Sequence, residues 1–169
     1  MLAEQRLSRT KDISTKIKNS DLVNRRRRQI ADAAIQLFID NGFHKTTTRQ
    51  ITRRAGVSIG SLYEYIASKE DVLYLVFESI YFEVERSVAK TIEKAGIGGG
   101  ALSEVIRAYF LVCHRMNDLI LLIYQESRSL LLQWRKRVQE NELRITGIFM
   151  KMLTRKQPKV FYRTLMKAP

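Results

Sequence analysis

The sequence predicts an all-α protein. Only eight glycines and two prolines interrupt its 169 residues, and apolar residues recur at helical spacing along most of the chain. No segment shows the alternation of apolar and polar residues that is typical of a half-buried strand. We therefore expect an N-terminal domain of three helices, which a long helix joins to a C-terminal helical domain.

The first helix is predicted over residues 25–41. Before it, residues 1–23 mix charged and isolated apolar residues without a period, which predicts a flexible basic tail. Gly42 ends the helix, since glycine accepts the left-handed conformation common at helix ends. The apolar face of this helix consists of Ile30, Ala33, Ala34, Leu37 and Phe38.

Two short helices follow, with a tight turn between them. Threonine hydroxyls at 46–48 can cap the second helix, and Ser58 can cap the third. Gly56 lies between them and tolerates the positive φ that a tight turn requires. This pattern predicts a helix-turn-helix over residues 47–66, because two steeply crossing helices need such a turn. Third-helix positions that do not face inward are free to point outward, namely Ile59, Gly60, Ser61, Tyr63 and Glu64.

A long fourth helix is predicted over residues 69–95, where Ser68 and Asp71 approximate a capping box. We assign residues 24–84 to the N-terminal domain and residues 85–169 to the C-terminal domain. The glycines at 98–100 form a linker, and further helices are predicted near 102–113, 119–124 and 131–155. Residues 119–124 are apolar all round, so that helix should be buried or lie in an interface.

The charge is strongly basic, with a net charge of +13 and a sequence pI near 10.1. Such a surface suits a polyanion such as nucleic acid, although positive charge can also serve solubility or contact an anionic membrane. The single cysteine, Cys113, excludes an internal disulfide, and the presence of only two histidines argues against a metal site. No acid–base pair or nucleophile predicts an enzyme. Without a membrane span or signal peptide, we expect a cytoplasmic protein with no membrane partner.

Residues 25–80 resemble the DNA-binding domain of TetR-family (TetR/AcrR type) transcriptional regulators. The resemblance rests on a combination of short matches at 33–34, 37–38, 41–43, 46–48, 51, 55–58, 60–63 and 68–70. It implies an all-α homodimer whose third helix enters the major groove of double-stranded DNA. It also implies a C-terminal ligand-binding and dimerisation domain that changes the spacing of the two DNA-reading heads.

The resemblance implies several DNA contacts. Thr47 and Thr48 match phosphate contacts at the start of the second helix, where free N–H groups favour anions. Lys69 matches a phosphate-binding lysine. Groove and backbone contacts of the recognition helix match Ser58, Gly60, Ser61, Tyr63 and Tyr65.

The residues themselves add three further DNA contacts to this set. Ile59 cannot hydrogen-bond a base edge but can pack on a thymine methyl group. Arg49 is expected to reach phosphate, as is Arg26 within the run Arg25–Arg28. Four cations at a helix N-terminus oppose the helix dipole, a cost that phosphates would offset; the alternative is a solvated helix end.

A small-molecule pocket is expected among the helices after residue 100. Its candidate residues are polar groups on apolar stretches, namely Tyr109, His114, Asn117, Tyr124 and Trp134. None forms a motif, and a histidine such as His114 is more often a satisfied core or surface residue than a ligand contact. The segment 124–137 faintly resembles family members that sense fatty acids or acyl-thioesters. No cofactor is predicted.

The leading hypothesis is a repressor that a small-molecule inducer releases from a palindromic operator. An activator is not excluded by the sequence, and a second hypothesis is a basic protein that coats nucleic acid without specificity. Family members usually end in two more long apolar helices, which the short stretch 159–169 cannot form. A third hypothesis is therefore a truncated regulator with impaired dimerisation.

Overall fold

A computed structural model describes residues 13–95 and 101–156 of the chain. Its described residues contain no strand, and the all-α fold class is confirmed. Over the same ranges, we find no helix with the length and apolar character needed to cross a membrane. The α-helices in chain order are α1 (Ser20–Asn41), α2 (Thr48–Ala55), α3 (Ile59–Tyr65), α4 (Lys69–Ala95), α5 (Ala101–Arg115), α6 (Asn117–Glu126) and α7 (Leu132–Lys156), with one 3-10 turn at Ser127–Ser129 before α7.

Helix α1 begins at Ser20, earlier than the sequence predicted. Asn19 caps it, because its side-chain oxygen accepts a hydrogen bond from the Leu22 N–H at 3.0 Å. The segment before it also packs, with Ile13 only 1% exposed in the core. Part of the predicted tail is thus folded against the N-terminal domain, whereas residues 1–12 lie outside the described ranges. This packing was not visible in the sequence, since an extended segment with one buried residue has no period.

The turns of the N-terminal domain follow the predicted glycines. Gly42 ends α1 with a φ of 77°, and Gly56 follows α2 in the left-handed region with a φ of 65°. The buried Thr46 donates its hydroxyl to the carbonyls of Leu37 and Gly42, which ties the turn to the end of α1. Helix α1 then packs against α2, α3 and α4. The predicted helix-turn-helix is confirmed.

Helix α4 forms the centre of the molecule. Every residue from Asp71 to Tyr81 is buried, because α1 packs on α4 from one side and α5 and α7 from others. Helix α6 is buried only at Leu122 and Ile123, whereas Leu121 and Tyr124 are 49% and 77% exposed. The prediction of complete burial for this helix is therefore wrong, and the interface alternative stays a prediction. The glycine linker and the C-terminal stretch lie outside the described residues.

Candidate nucleic-acid interface

Helix α3 has one face in the core and one face in solvent. Ser58 starts it by accepting a hydrogen bond from the Ser61 N–H at 3.0 Å. Leu62 is fully buried, which fixes the inner face against α1 and α2. On the outer face, Ile59 and Tyr63 remain 46% and 48% exposed. Large apolar and aromatic groups held in solvent on a rigid short helix suit contact with another molecule.

Gly60 lies in the first turn of α3 without a structural reason for being glycine. Its φ is not positive, in contrast to Gly42 and Gly56. A Cβ atom built at this position would have Ser58 Oγ as its nearest neighbour, at an ordinary distance of 3.9 Å. Glycine inside a helix is destabilising relative to alanine. The absence of a side chain here therefore points to a close approach from outside the described protein.

Helix α2 turns its cations outward. Ile51 and Thr52 are buried, whereas Arg49, Arg53 and Arg54 are exposed. Thr47 caps the helix in a full capping box with Gln50, as its hydroxyl oxygen accepts from the Gln50 N–H at 3.3 Å. Thr48, the first residue of the helix, is half-buried. These positions are compatible with phosphate contacts from Thr47, Thr48 and Arg49, which stay predictions.

The run Arg25–Arg28 is divided between surface and core. Arg25 and Arg28 are exposed, and Arg26 is half-buried with a 2.8 Å hydrogen bond to Gln29 Oε1. Arg27 is only 4% exposed. A helix presents successive residues about 100° apart, so four adjacent arginines cannot share one face. The interpretation of the run as a uniform DNA-contacting stretch is corrected at Arg27.

Arg27 caps the end of α3. It donates from Nε to the Tyr65 carbonyl at 2.9 Å and from an Nη to the Ile13 carbonyl at 2.8 Å. Burial lowers the pKa of Arg27 to about 10, and the charge of Asp71 acts in the opposite direction. A cation at a helix C-terminus is also favoured by the helix dipole. Arg27 thus joins α1, the N-terminal segment and α3.

Two residues that the resemblance placed at DNA are engaged inside the protein. Tyr65 is 5% exposed in the core, so we withdraw it from the predicted contacts. The ammonium group of Lys69 donates to the Phe43 and Thr46 carbonyls at 3.0 Å and to the His44 carbonyl at 3.4 Å. It also lies 4.3 Å from the centre of the Phe43 ring. A phosphate contact by Lys69 stays a prediction, and it requires the ammonium group to leave these carbonyls.

The predicted ligand residues differ in their burial, and their role in a pocket stays a prediction. Trp134 is 2% exposed and stacks on Tyr74 with ring centres 4.3 Å apart, so it is a packing residue and not a pocket wall. His114, Asn117 and Tyr124 are exposed side chains, Tyr124 at 77%. Tyr109 is half-buried, and burial, with further contributions from nearby groups, raises its pKa to about 12. Their spread over three helices explains why no motif was visible.

A cleft of about 550 Å³ lies between α4 and α5 instead. Arg86 pairs there with Glu83 at 2.7 Å. Lys90 and Arg115 have no ion pair with any residue that the structure describes. No signal in the sequence marked this cleft, because its cations come from two helices and meet only through packing. The lining residues are Glu83, Arg86, Ser87, Lys90, Val112, Arg115 and Met116.

Two of the polar contacts between the N-terminal and the C-terminal helices begin at His44 and at Asp71, and the sequence predicted neither. His44, in the turn after α1, approaches Ser129 Oγ at 3.2 Å and Glu126 Oε2 at 3.5 Å. Asp71, at the start of α4, accepts a hydrogen bond from Trp134 Nε1 at 2.8 Å. Both contacts join residues far apart in sequence, so only the tertiary structure reveals them. Among the described residues there is no cluster of three metal-binding side chains.

Comparison with known proteins agrees with this geometry. Residues 30–75 match the model of the family described as bacterial regulatory proteins, tetR family. The chain is 29% identical to the HTH-type transcriptional regulator HbdR of Aromatoleum sp. (strain CIB), over 87% of this chain and 64% of that protein. It is 28% identical to the Fatty acid metabolism regulator protein of Bacillus subtilis (strain 168), over 66% of this chain and 58% of that protein. The chain thus spans less than two thirds of the length of both relatives.

The fold is similar to that of solved regulators. The TetR family transcriptional regulator PfmR from Thermus thermophilus superposes with a TM-score of 0.64 at 22% identity, covering 75% of this chain and 69% of that one. A tetR family regulator from Shewanella sp. PV-4 gives a TM-score of 0.61 at the same 22% identity, over 75% and 68% of the two chains. The matched segment 30–75 contains α2, α3 and the turn between them. Over this segment the chain is therefore similar to bacterial regulatory proteins of the tetR family, and its fold is that of the two solved regulators.

Proposed function

We propose that the protein is a sequence-specific DNA-binding transcriptional regulator, which represses by occupying a palindromic operator in the bacterial cytoplasm. The observation that carries this proposal is the outer face of α3, where Ile59 and Tyr63 stand exposed around Gly60. A helix of this shape fits the major groove, which admits one α-helix. Repressors among the relatives, such as HTH-type transcriptional repressor KstR of Mycolicibacterium smegmatis, support the direction of regulation.

The proposed contacts divide into base reading and phosphate binding. Ile59 packs against a thymine methyl group, and the bare backbone at Gly60 lets the helix approach the base edges. Tyr63 donates its hydroxyl to a phosphate or reaches into the groove. The contacts that place the helix on the duplex come from Arg26, Thr47, Thr48, Arg49, Ser58 and Ser61.

A homodimer would present two such heads to the two halves of a palindrome. Linking two heads raises affinity by orders of magnitude over a single head. Support comes from the large apolar side chains that α5 to α7 and the turns beside them leave exposed, a pattern typical of protein interfaces. The exposed side chains are Ile106, Phe110, Leu111, Leu121, Tyr124, Leu131, Leu132, Leu143, Met150 and Leu153. Sedimentation at micromolar concentration measures the dimer directly.

The effector is proposed to be an anionic amphiphile, such as a fatty acid or an acyl-thioester whose thiol moiety carries phosphate groups. The cleft between α4 and α5 supports an anion, because Lys90 and Arg115 line it without an ion pair among the described residues. Val112 and Met116 add an apolar wall. The name of the Bacillus subtilis relative, Fatty acid metabolism regulator protein, agrees with such a ligand. Binding would raise the melting temperature through mass action.

The effector test compares three molecules of one acyl chain length: a fatty acid, its thioester with the phosphorylated thiol coenzyme A, and the uncharged alcohol. We expect the charged molecules to raise the melting temperature and to release DNA, and the alcohol to do neither. The double variant Lys90→Gln and Arg115→Gln should lose the shift while melting like the unmodified protein without ligand. An equal response to the alcohol would refute the role of the two cations.

The function itself is tested by selecting bound duplexes from a random pool. The affinities for the most enriched duplex and for a scrambled duplex are then measured over a series of salt concentrations. A specific regulator prefers the selected duplex at every salt concentration, typically by about 10³-fold or more. The competing hypothesis, a coating protein that relies on its net charge of +13, predicts equal affinities with the same salt slope. Equal affinities would overturn the proposed function.

A further inference from the structure

The turn between α3 and α4 is held by the side chain of Asp71. Its Oδ2 accepts hydrogen bonds from the N–H groups of Ala67 at 2.8 Å and of Ser68 at 3.0 Å. In return, the Asp71 N–H donates to Ser68 Oγ at 3.3 Å. The recognition helix ends at Tyr65, two residues before the first of these N–H groups. Asp71 therefore helps to fix the orientation of α3 relative to the start of α4.

The second oxygen of Asp71 is bound from the C-terminal domain. Trp134, in the first turn of α7, donates its indole N–H to Asp71 Oδ1 at 2.8 Å. Both side chains are buried, at 4% exposure for Asp71 and 2% for Trp134. The indole ring is fixed in turn by its parallel stacking on Tyr74, at an interplanar angle of 8°. A hydrogen bond to a buried carboxylate is stronger than one between neutral groups and costly to leave unmade.

The same helix end is bound from the other side by Arg27, which donates to the Tyr65 carbonyl. The end of α3 is thus connected both to α1, inside the DNA-binding domain, and through Asp71 to α7, outside it. A movement of the start of α7 cannot leave Asp71 unchanged, since the indole N–H would move with the helix. The polar contacts at this turn connect α7 to the end of the recognition helix.

We propose that Trp134 is a positioning residue for DNA recognition, which sets the pose of α3 through its hydrogen bond to Asp71. This inference rests on the proposed function as a DNA-binding regulator. It goes beyond that function by naming one side chain through which the C-terminal helices act on α3. Trp134 is buried, so it acts on DNA binding through its neighbours, and Asp71 is the neighbour that holds the end of α3.

The test is Trp134→Phe, which keeps an aromatic ring to stack on Tyr74 and removes the N–H donor. We expect its affinity for the duplex selected from a random pool to fall about tenfold, the scale of one lost hydrogen bond to a charged group. The amide resonances of Ala67 and Ser68 should shift, because their acceptor loses its other partner. The matched control is Val138→Ala, which truncates a buried residue one turn further along α7. It should lower the melting temperature and leave both affinity and these two resonances unchanged.

A double-variant cycle separates positioning from general destabilisation. If Trp134 acts through Asp71, then Trp134→Phe combined with Asp71→Asn should weaken binding no further than Asp71→Asn alone. Losses that simply add would overturn the inference. Unchanged affinity of Trp134→Phe would also overturn it, provided that the unmodified protein prefers the selected duplex. If the unmodified protein shows no preference, the proposed function fails instead.

A measurement on the unmodified protein covers the case in which a variant does not fold. Trp134 is the single tryptophan of the chain, so tryptophan fluorescence reports on the surroundings of this one side chain, which include Asp71 and Tyr74. We expect the emission to change and then saturate as the selected duplex is added. The midpoint of this change should equal the midpoint of the DNA-binding curve measured by anisotropy. A constant emission through full binding would overturn the inference.

Discussion

Replacing Gly60 by alanine should make the protein more stable and a weaker DNA binder. The expected gain in stability follows from the position of Gly60 within α3, where its backbone does not adopt a positive φ. The new methyl group would meet only Ser58 Oγ at 3.9 Å, so no strain opposes it. Alanine is favoured over glycine in helices by about 0.5–1 kcal/mol. For a chain of this size, that gain raises the melting temperature by roughly 1–4 °C.

The opposite effect on DNA binding follows from where the methyl group would point. It would stand beside the exposed Ile59 and Tyr63, on the face that we propose enters the groove. Holding the helix away from the base edges should cost about 1–3 kcal/mol, the scale of one lost base contact. The corresponding loss of affinity is roughly 5- to 150-fold.

Gly147→Ala is the matched control. Gly147 lies inside α7, and a Cβ atom there would have no neighbour within 4 Å. Calorimetry should show a similar rise in melting temperature for both variants, whereas fluorescence anisotropy with the selected duplex should show weaker binding for Gly60→Ala alone. Unchanged DNA affinity of Gly60→Ala would refute the close approach at this position. A lower melting temperature would refute the account of the helix.

Three further substitutions test the interface, the turn and the C-terminal core. Tyr63→Ala should weaken binding to the selected duplex by about 1–3 kcal/mol at an unchanged melting temperature, and equal affinity would remove Tyr63 from the interface. Lys69→Met should lower the melting temperature, because three carbonyl groups lose their donor, whereas an unchanged melting temperature would contradict that role. Tyr109 has a pKa raised to about 12 by burial, so the unfolded state loses this proton first and stability should fall as pH rises from about 10 to about 12. Urea titrations at several pH values should find that the free energy of unfolding falls less with pH for Tyr109→Phe than for the unmodified protein. An equal fall would contradict the raised pKa of Tyr109.

The sequence was sufficient to predict the elements and the outer face of the reading head. Gly42, Gly56 and Ser58 act locally, through backbone conformation and capping, and the structure has them in those roles. The bounds of α4 were also predicted, because a buried helix has a long regular period and here a capping box at its start.

The tertiary structure decided which polar residues face outward and which are bound inside. Arg27 differs from its three arginine neighbours only by the direction in which α1 presents it, towards the end of α3. Tyr65 and Trp134 are amphipathic residues whose rings suit either a site or a core, and packing placed both in the core.

By itself, the sequence determined an all-α fold with a helix-turn-helix of the TetR type and a basic surface, since these depend on local spacing and on composition. It could not determine the link from Trp134 to Asp71, whose partners are 63 residues apart. Nor could it determine the cationic cleft between α4 and α5. Such contacts form when separate helices pack, and no local period in the chain records which side chains then meet.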